Sequence, residues 1–255
     1  MNMTISLVFG FIAGLLVNFF SDVLPIQRQL ARPTCSSCSS TYTWKDYLFF
    51  SPCRNCGKLR SLRTLFVLLA GIVLSAALWS NPPAHLGYWL GLLVLTYFGM
   101  VVVIDFEHHI IMHVVTLAGA ILGLLTGSLQ HGLLNAIIGG LAGSGVMLTF
   151  YWLGTLFARY RAKKLGHDDG EEALGFGDVT ISGVIGLMLG WPLVMYGLAI
   201  GVIVGGLASL VLVLVLIVTR RYQTMSVFTA YGPYLVFGAA ILIFIPQALS
   251  VFFGK

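Results

Sequence analysis

Long apolar runs separated by short polar loops dominate the chain. A helix of about 20 apolar residues spans the roughly 30 Å hydrocarbon core of a bilayer, and most of the runs approach that length. The pattern therefore predicts an all-α, polytopic membrane protein with about eight transmembrane helices. The predicted spans are Met3–Leu24, Leu65–Trp79, Leu86–Ile104, Val114–Leu125, Leu133–Phe157, Val179–Gly190, Val194–Val218 and Tyr234–Phe253.

Composition strengthens the membrane assignment. Of the 255 residues, 58% are hydrophobic and only 9% are charged, whereas about 25% of the residues in a soluble domain are charged. This composition excludes a soluble enzyme. The net charge of +5 does not indicate binding to nucleic acid, because the basic residues lie in loops between spans, where they set membrane orientation and face the lipid bilayer.

The loop charges also predict the topology. Every Lys and Arg except Lys255 lies in a loop that follows an odd-numbered span. Because basic loops stay in the cytoplasm, the N-terminus is expected outside. The same count places Asp105, at the end of the third span, and Asp178, at the start of the sixth, at the cytoplasmic face.

These two acids are the candidate catalytic residues. Asp178 follows Gly175-Phe176-Gly177 and precedes a helix expected to begin at Val179. Glycine permits close backbone approach, and a helix N-terminus favours an anion. Two carboxylates that share one proton can activate water and protonate a leaving amine. Asp105 and Asp178 are therefore interpreted as the pair of a membrane aspartic peptidase.

Three alternatives to the catalytic pair stay open. Asp178 could cap its helix while Asp105 is a solvated boundary residue, as Asp22 is expected to be. The two acids could instead carry protons or cations in a membrane transporter, since acids within membranes mark ion pathways. The chain could also be a catalytically idle assembly factor that binds its protein partners through its cysteine loop.

The four cysteines form two Cys-x-x-Cys pairs in one loop: Cys35, Cys38, Cys53 and Cys56. Such pairs hold two sides of a tetrahedral structural zinc site. Disulfides are disfavoured in the cytoplasm, although they and free thiols remain alternatives. The predicted organisation is a first transmembrane helix (1–25), a cytoplasmic zinc-binding loop with all four cysteines (26–63) and a transmembrane peptidase core (64–255). His109 and His113, spaced i, i+4 near Glu107, offer a less favoured second metal site.

Several segments in order give the chain a resemblance to the type IV prepilin peptidase family, the GxGD-type membrane aspartic peptidases. The first span contains Asn18 and Pro25 as in the family, and the two cysteine pairs follow. The other matching segments are Val103–Ile111 (VIDFEHHII), Gly175–Asp178 (GFGD) and Tyr231–Tyr234 (YGPY).

The resemblance implies a function and a set of site residues. Asp105 and Asp178 take the catalytic roles. The active-site support residues are Gly175, Gly177, Glu107, Gly232 and Pro233. The implied substrates are type IV prepilins or type II secretion pseudopilins, cleaved at the cytoplasmic face of the bacterial inner membrane. N-methylation of the new N-terminus with S-adenosylmethionine belongs to many family members. The chain departs from the family at Met112-His113, where Pro-Asp or Pro-Asn is usual.

Overall fold

Helices form most of the protein in the computed structural model, which describes residues 3–245 apart from 30, 36, 49, 166–174 and 220–230. Within these ranges the only strand-like pairing is an isolated antiparallel bridge between Thr34 and Thr41. The helices are α1 (Met3–Gln27), α2 (Trp44–Leu48), α3 (Leu62–Ser80), α4 (Gly87–His108), α5 (His113–His131), α6 (Leu133–Leu165), α7 (Phe176–Leu189), α8 (Leu193–Val218) and α9 (Gly232–Phe244).

The hydrophobic pattern predicted this architecture well. Six helices, α1, α3, α4, α5, α6 and α8, are long and apolar enough to cross a membrane, and the shorter apolar helices α7 and α9 occupy the other two predicted spans. The all-α, multi-pass membrane fold is therefore confirmed. The short α2 was not predicted, and residues 246–253 of the last predicted span lie outside the described residues.

The chain divides into two units, Met1–His108 and His109–Lys255. In the first unit, α1 packs along α3 and α4, and α3 also contacts α4. Asn18 ties this bundle together, because its buried side-chain amide donates to the backbone oxygens of Gly14 and Thr64, both at 3.1 Å. One amide thus bonds to its own helix and to the first turn of α3.

Helix α7 is the centre of the second unit. It contacts α5, α6, α8 and α9, and the side chains of Ile181, Ile185 and Met188 are fully buried. By contrast, α8 exposes a long series of Leu, Val and Ile side chains, as expected for a surface that faces lipid. The helix that carries Asp178 is therefore enclosed by protein on most sides.

Glycines let the helices of the second unit approach closely. A Cβ atom at Gly139 or Gly143 of α6 would overlap the backbone of α7, and one at Gly201 of α8 would lie 2.8 Å from the Leu235 Cα of α9. Such contact between small residues is typical of helices packed in membranes. Gly145 also lies in the glycine-rich stretch of α6, yet a Cβ there would meet nothing within 4 Å.

Candidate functional site

Asp105 lies inside the last turn of α4, not after its end as the hydropathy pattern predicted. Its residue surface is only 5% exposed. The alternative that Asp105 is a solvated boundary residue is therefore wrong. A carboxyl group this buried loses its hydration, which costs free energy unless other groups of the protein stabilise it. Acids buried in membrane proteins are commonly functional.

Glu107, two residues after Asp105, is held by an arginine from another helix. Arg63 Nη1 donates to Glu107 Oε2 at 2.6 Å, and the second terminal nitrogen of Arg63 donates to Asp22. Arg63 lies in the first turn of α3, where its backbone N–H donates to the Ser61 hydroxyl at the helix N-cap. One guanidinium thus bridges an acid of α1 and an acid of α4.

Asp22 is the centre of an ion-pair network, so the expectation that it is solvated is wrong. Besides Arg63, its carboxylate accepts from Arg60 Nη2 at 2.9 Å and from the Tyr47 hydroxyl at 2.6 Å. The Arg60 guanidinium also lies 3.9 Å from the centre of the Tyr47 ring. The Arg60 side chain is only 8% exposed. Burial of the phenol, followed by the negative charge of Asp22, raises the pKa of Tyr47.

The sequence analysis did not identify this network. Its members come from α1, α2, the loop before α3, and α3 itself, so no local motif contains them. The one available signal was charge. Asp22 lies shortly before a loop with seven basic residues and a single acid, Asp46, so basic partners were available near it in the chain.

Asp178 lies in the first turn of α7, which begins at Phe176 and not at the predicted Val179. The N-cap residue is Gly175, and no side chain caps the helix there. The alternative that Asp178 is the N-cap is therefore wrong. Asp178 is 8% exposed and stands at the helix end where backbone N–H groups favour a negative charge.

The two glycines before Asp178 have different surroundings. A Cβ at Gly177 would lie 2.9 Å from the Ile111 Cβ, closer than two such atoms can approach. A Cβ at Gly175 would meet nothing nearer than 3.9 Å, and the Gly175 φ of −72° suits any residue. Gly177 is thus required by packing, whereas the structure places no steric demand on Gly175.

The Tyr-Gly-Pro-Tyr segment begins α9. Gly232 is the first residue of the helix, and Pro233 takes an early position where its missing N–H costs nothing. The rings of Tyr231 and Tyr234 pack edge to face, with centroids 6.2 Å apart. Burial, followed by the negative charge of Asp178, raises the pKa of Tyr231. The segment therefore lies within electrostatic range of Asp178.

The four cysteine sulfurs form one cluster, in which all Sγ atoms lie within 4.8 Å of one another. The Cys35–Cys56 and Cys38–Cys53 separations are 3.7 and 3.6 Å. Four Zn–S bonds of about 2.3 Å in a tetrahedron place sulfurs about 3.8 Å apart, whereas a disulfide needs about 2.05 Å. The thiols are free in the structure, and their arrangement fits a zinc ion held by all four sulfurs.

Two turns with the same hydrogen-bond pattern build this cluster. The Ser39 N–H donates to the Cys35 oxygen at 2.9 Å, and the Gly57 N–H donates to the Cys53 oxygen at 2.8 Å. Ser39 and Gly57 also share a left-handed φ, 56° and 68°. Each Cys-x-x-Cys pair is thereby folded so that both of its sulfurs face the other pair.

The surroundings of Cys53 and Cys35 favour the thiolate, the form of cysteine that binds metal. At Cys56 the backbone hydrogen bond with Lys58 also favours the thiolate, but the Cys38 thiol and burial outweigh it and raise the pKa of Cys56 to about 11. The Ser40 hydroxyl lies 3.2 Å from Cys53 Sγ and 3.0 Å from Cys38 Sγ. Ser40, followed by the backbone N–H groups of Cys56 and Asn55, lowers the pKa of Cys53 to about 6. The backbone N–H groups of Ser37 and Cys38 lower the pKa of Cys35.

The histidines do not form a second metal cluster among the described residues, where the cysteines are the only such group. His109 and His113 are spaced i, i+4, but they do not share a helix. His109 has a left-handed φ of 51° in the connection after α4, and His113 begins α5.

Comparison with known proteins identifies relatives of the same kind. The model of the type IV leader peptidase family matches residues 92–245. The chain is similar to the prepilin leader peptidase/N-methyltransferase of Aeromonas hydrophila, with 26% identity over 84% of this chain and 71% of that protein. It is also similar to the protein of the same name from Aeromonas salmonicida strain A449, with 27% identity over 72% of this chain but only 58% of that protein. No solved structure matches.

The family match covers more than half of the chain and includes Asp105, the Gly-Phe-Gly-Asp segment and the start of α9. These are three of the segments on which the resemblance was based, and the prediction of the family is thereby confirmed. The first-span residues and the cysteine pairs lie outside the matched range. The chain belongs to the type IV leader peptidase family of enzymes.

Proposed function

We propose that this protein is a membrane aspartic endopeptidase that removes the leader peptide of type IV prepilins or type II secretion pseudopilins. The observation that carries the proposal is the burial of Asp105 and Asp178. Each is less than a tenth exposed, and each lies within one turn of the end of an apolar helix, in a segment that matches the family. Two dehydrated acids in those positions suit proton transfer better than they suit solvation.

The chemistry of the pair follows from two carboxyl groups that share one proton. The ionised carboxylate takes a proton from water while the water oxygen bonds to the scissile carbonyl carbon, and the protonated carboxyl donates to the carbonyl oxygen. When the tetrahedral intermediate collapses, the C–N bond breaks and the leaving nitrogen receives a proton. Water supplies both the hydroxyl of the new carboxyl group and the proton of the new amine. Neither acid forms a covalent intermediate.

The contact between Gly177 and Ile111 supports a role for Gly177 as an active-site support residue. Gly177 immediately precedes Asp178, and Ile111 follows Asp105 by six residues in the segment that resembles the family's first catalytic motif. The electrostatic effect of Asp178 on Tyr231 supports a role for Gly232 and Pro233 as helix-starting residues beside the site. Gly177 and Glu107 complete the proposed support residues, whereas nothing in the surroundings of Gly175 requires a glycine there.

The membrane arrangement belongs to the proposal as well. The chain would lie in the bacterial inner membrane with its N-terminus outside and both acids at the cytoplasmic face, as the basic loops favour. A short basic leader would meet that face while the apolar helix of the prepilin stays in the bilayer. Reporter fusions in the loops at 81–86 and 166–174 test the orientation, since only the second loop is expected in the cytoplasm.

Two further components are proposed separately. The cysteines Cys35, Cys38, Cys53 and Cys56 would hold a structural Zn²⁺, whose four thiolates leave no open position for catalysis. N-methylation of the new N-terminus rests on the names of the relatives, and S-adenosylmethionine as the methyl donor rests on the resemblance to the family.

Cleavage of a prepilin-like substrate by the purified protein in nanodiscs tests the peptidase. The parent is compared with Asp105→Asn and Asp178→Asn, each checked for a monodisperse elution profile. Cleavage by the parent and its loss, by a factor of about 10³ or more, in either variant is the expected result. Undiminished cleavage by both variants would show that Asp105 and Asp178 are not the catalytic pair. If the parent is silent on several prepilins, proton and cation flux is measured next, because the transporter alternative would then lead.

A further inference from the structure

We propose that Arg63 is a positioning residue that holds the end of α4, and with it Asp105, against the cysteine loop. The catalytic part of this inference rests on the proposed function, whereas the structural part does not. Arg63 acts through Glu107, which stands two residues beyond Asp105 in the last turn of the same helix.

The geometry of Arg63 suits a bridge between two acids. One terminal nitrogen donates to Glu107 Oε2 at 2.6 Å and the other donates to Asp22. The planar guanidinium fork presents both donors at a fixed angle, which the single ammonium of lysine cannot do. The Arg63 side chain is 19% exposed and that of Asp22 is 22% exposed. The Arg63–Asp22 half of the bridge is therefore more protected from solvent than an ordinary surface ion pair, which contributes little. The Glu107 half is more open, because the Glu107 side chain is 37% exposed.

Asp22 extends the bridge to the cysteine loop. Its Oδ2 also accepts from Arg60 and from Tyr47, and Arg60 Nη1 donates to the Tyr47 backbone oxygen at 3.1 Å. Arg60 follows Cys56 by four residues. An unbroken series of polar contacts thus runs from the segment after the second cysteine pair, through Asp22 and Arg63, to the last turn of α4.

Through this arrangement the cysteine loop would hold the last turn of α4 in place, in addition to setting the membrane orientation. The last turn of a helix has unsatisfied carbonyl groups and frays readily. Asp105 lies in that turn, so fraying would move its carboxyl group. A displacement of about 1 Å can cost a reaction on the order of a hundredfold in rate. Anchoring Glu107 limits the fraying, because the anchor lies within one turn of Asp105.

Hydrogen exchange measured by mass spectrometry tests the anchor without reference to activity. The peptide covering residues 102–111 is followed in the parent, Arg63→Gln, Glu107→Gln and the double variant, with Arg32→Gln as the control for loss of an exposed arginine from the same loop. Arg63→Gln and Glu107→Gln are each expected to speed exchange about tenfold. The double variant should exchange no faster than either single variant, because both substitutions remove the same Arg63–Glu107 interaction. Arg63→Lys should fall between parent and Arg63→Gln, and Arg32→Gln should match the parent.

Unchanged exchange in Glu107→Gln would overturn the proposal, and so would a double variant whose effect is the product of the two singles. Glu107 is 37% exposed, so this variant keeps the test decisive even if Arg63→Gln fails to fold. Asp22→Asn should also speed exchange, and its failure to do so would overturn the link to the loop.

Cleavage kinetics then separate this proposal from the proposed function. In the anchor variants kcat should fall about tenfold with KM unchanged, because substrate binding does not use Arg63. A parent that cleaves no prepilin defeats the peptidase proposal while the exchange result still decides the anchor. A parent that cleaves normally, with the same exchange and kcat in every variant, defeats the anchor alone.

Discussion

Gly177 lies against Ile111 so closely that a Cβ atom at Gly177 would sit 2.9 Å from the Ile111 Cβ. The Ile111 Cβ is fixed to the backbone, so the contact cannot be relieved by rotation of a flexible side chain. Within the Gly-Phe-Gly-Asp segment, Gly177 is therefore the glycine that packing requires.

The two glycines of the Gly-Phe-Gly-Asp segment should respond differently to alanine. Gly177→Ala forces α7 away from Ile111, and overpacking of this kind costs about 1–3 kcal/mol. If the transition state bears the same cost, kcat/KM falls by roughly 5- to 160-fold. Gly175→Ala is the matched control and should stay within a factor of about two, because its φ and surroundings accept a Cβ. Equal losses in the prepilin cleavage assay would contradict this distinction.

The cysteine cluster should bind one Zn²⁺ with an affinity that depends on Ser40. Its hydroxyl lies near two of the sulfurs, and partners of metal ligands typically contribute 10- to 100-fold in affinity. Ser40→Ala should therefore weaken zinc binding about that much, and Cys53→Ser should weaken it far more. The measurement is competition with a chromogenic chelator in detergent.

Ser37→Ala is the control for the zinc experiment, since the Ser37 hydroxyl accepts from the exposed Lys58 Nζ at 2.7 Å. It should bind zinc like the parent. Absence of zinc from the purified parent after reconstitution with the metal would contradict the assignment of a zinc site to the four cysteines. Equal zinc affinities of Ser40→Ala and the parent would show that the Ser40 hydroxyl does not contribute to zinc binding.

The pH dependence of α2 follows from Asp46. The Thr43 hydroxyl, followed by Arg54, lowers the pKa of Asp46 below its ordinary value of 3.8. A carboxyl whose pKa is depressed by folding stabilises the fold above its unfolded pKa and loses that effect as the pH falls through the folded pKa. Asp46→Asn should thus destabilise α2 by the same amount at about pH 8 and about pH 5, with a difference that shrinks only at lower pH.

Exchange of the peptide containing Trp44–Leu48 measures this effect, with Lys45→Gln as the control on the same helix. A difference between Asp46→Asn and the parent that disappears between about pH 8 and pH 5 would show that another group controls α2.

Two glycines of α6 should differ in the stability of the folded protein. Gly143→Ala would drive a Cβ into the Ser182 backbone oxygen of α7, at a cost of about 1–3 kcal/mol. Gly145→Ala meets open space and should be neutral or stabilising by about 0.5–1 kcal/mol, because alanine restricts the unfolded chain. Thermal unfolding in detergent compares the two, and a lower melting temperature for Gly145→Ala than for Gly143→Ala would refute the packing argument.

The sequence by itself determined the features that depend on local patterns. In lipid the backbone must form its hydrogen bonds within the protein, so long apolar runs fold as helices. All eight apolar helices of the described chain accordingly lie within or close to the predicted spans. The spacing of the cysteine pairs predicted that the four sulfurs share one loop cluster, and the Gly-Phe-Gly-Asp segment helped to identify the family. The catalytic roles of Asp105 and Asp178 remain predictions from those motifs.

Only the tertiary structure decided which side chains meet. Asp22 and Arg63 are separated by 41 residues, and Arg63 and Glu107 by 44. Pairings between residues so far apart in the chain depend on how α1, α3 and α4 pack, and no local sequence pattern specifies that packing. The same holds for the difference between Gly177 and Gly175, which are alike in the sequence. The free volume beside a glycine is a property of its neighbours in space, and in the chain Ile111 is 66 residues from Gly177.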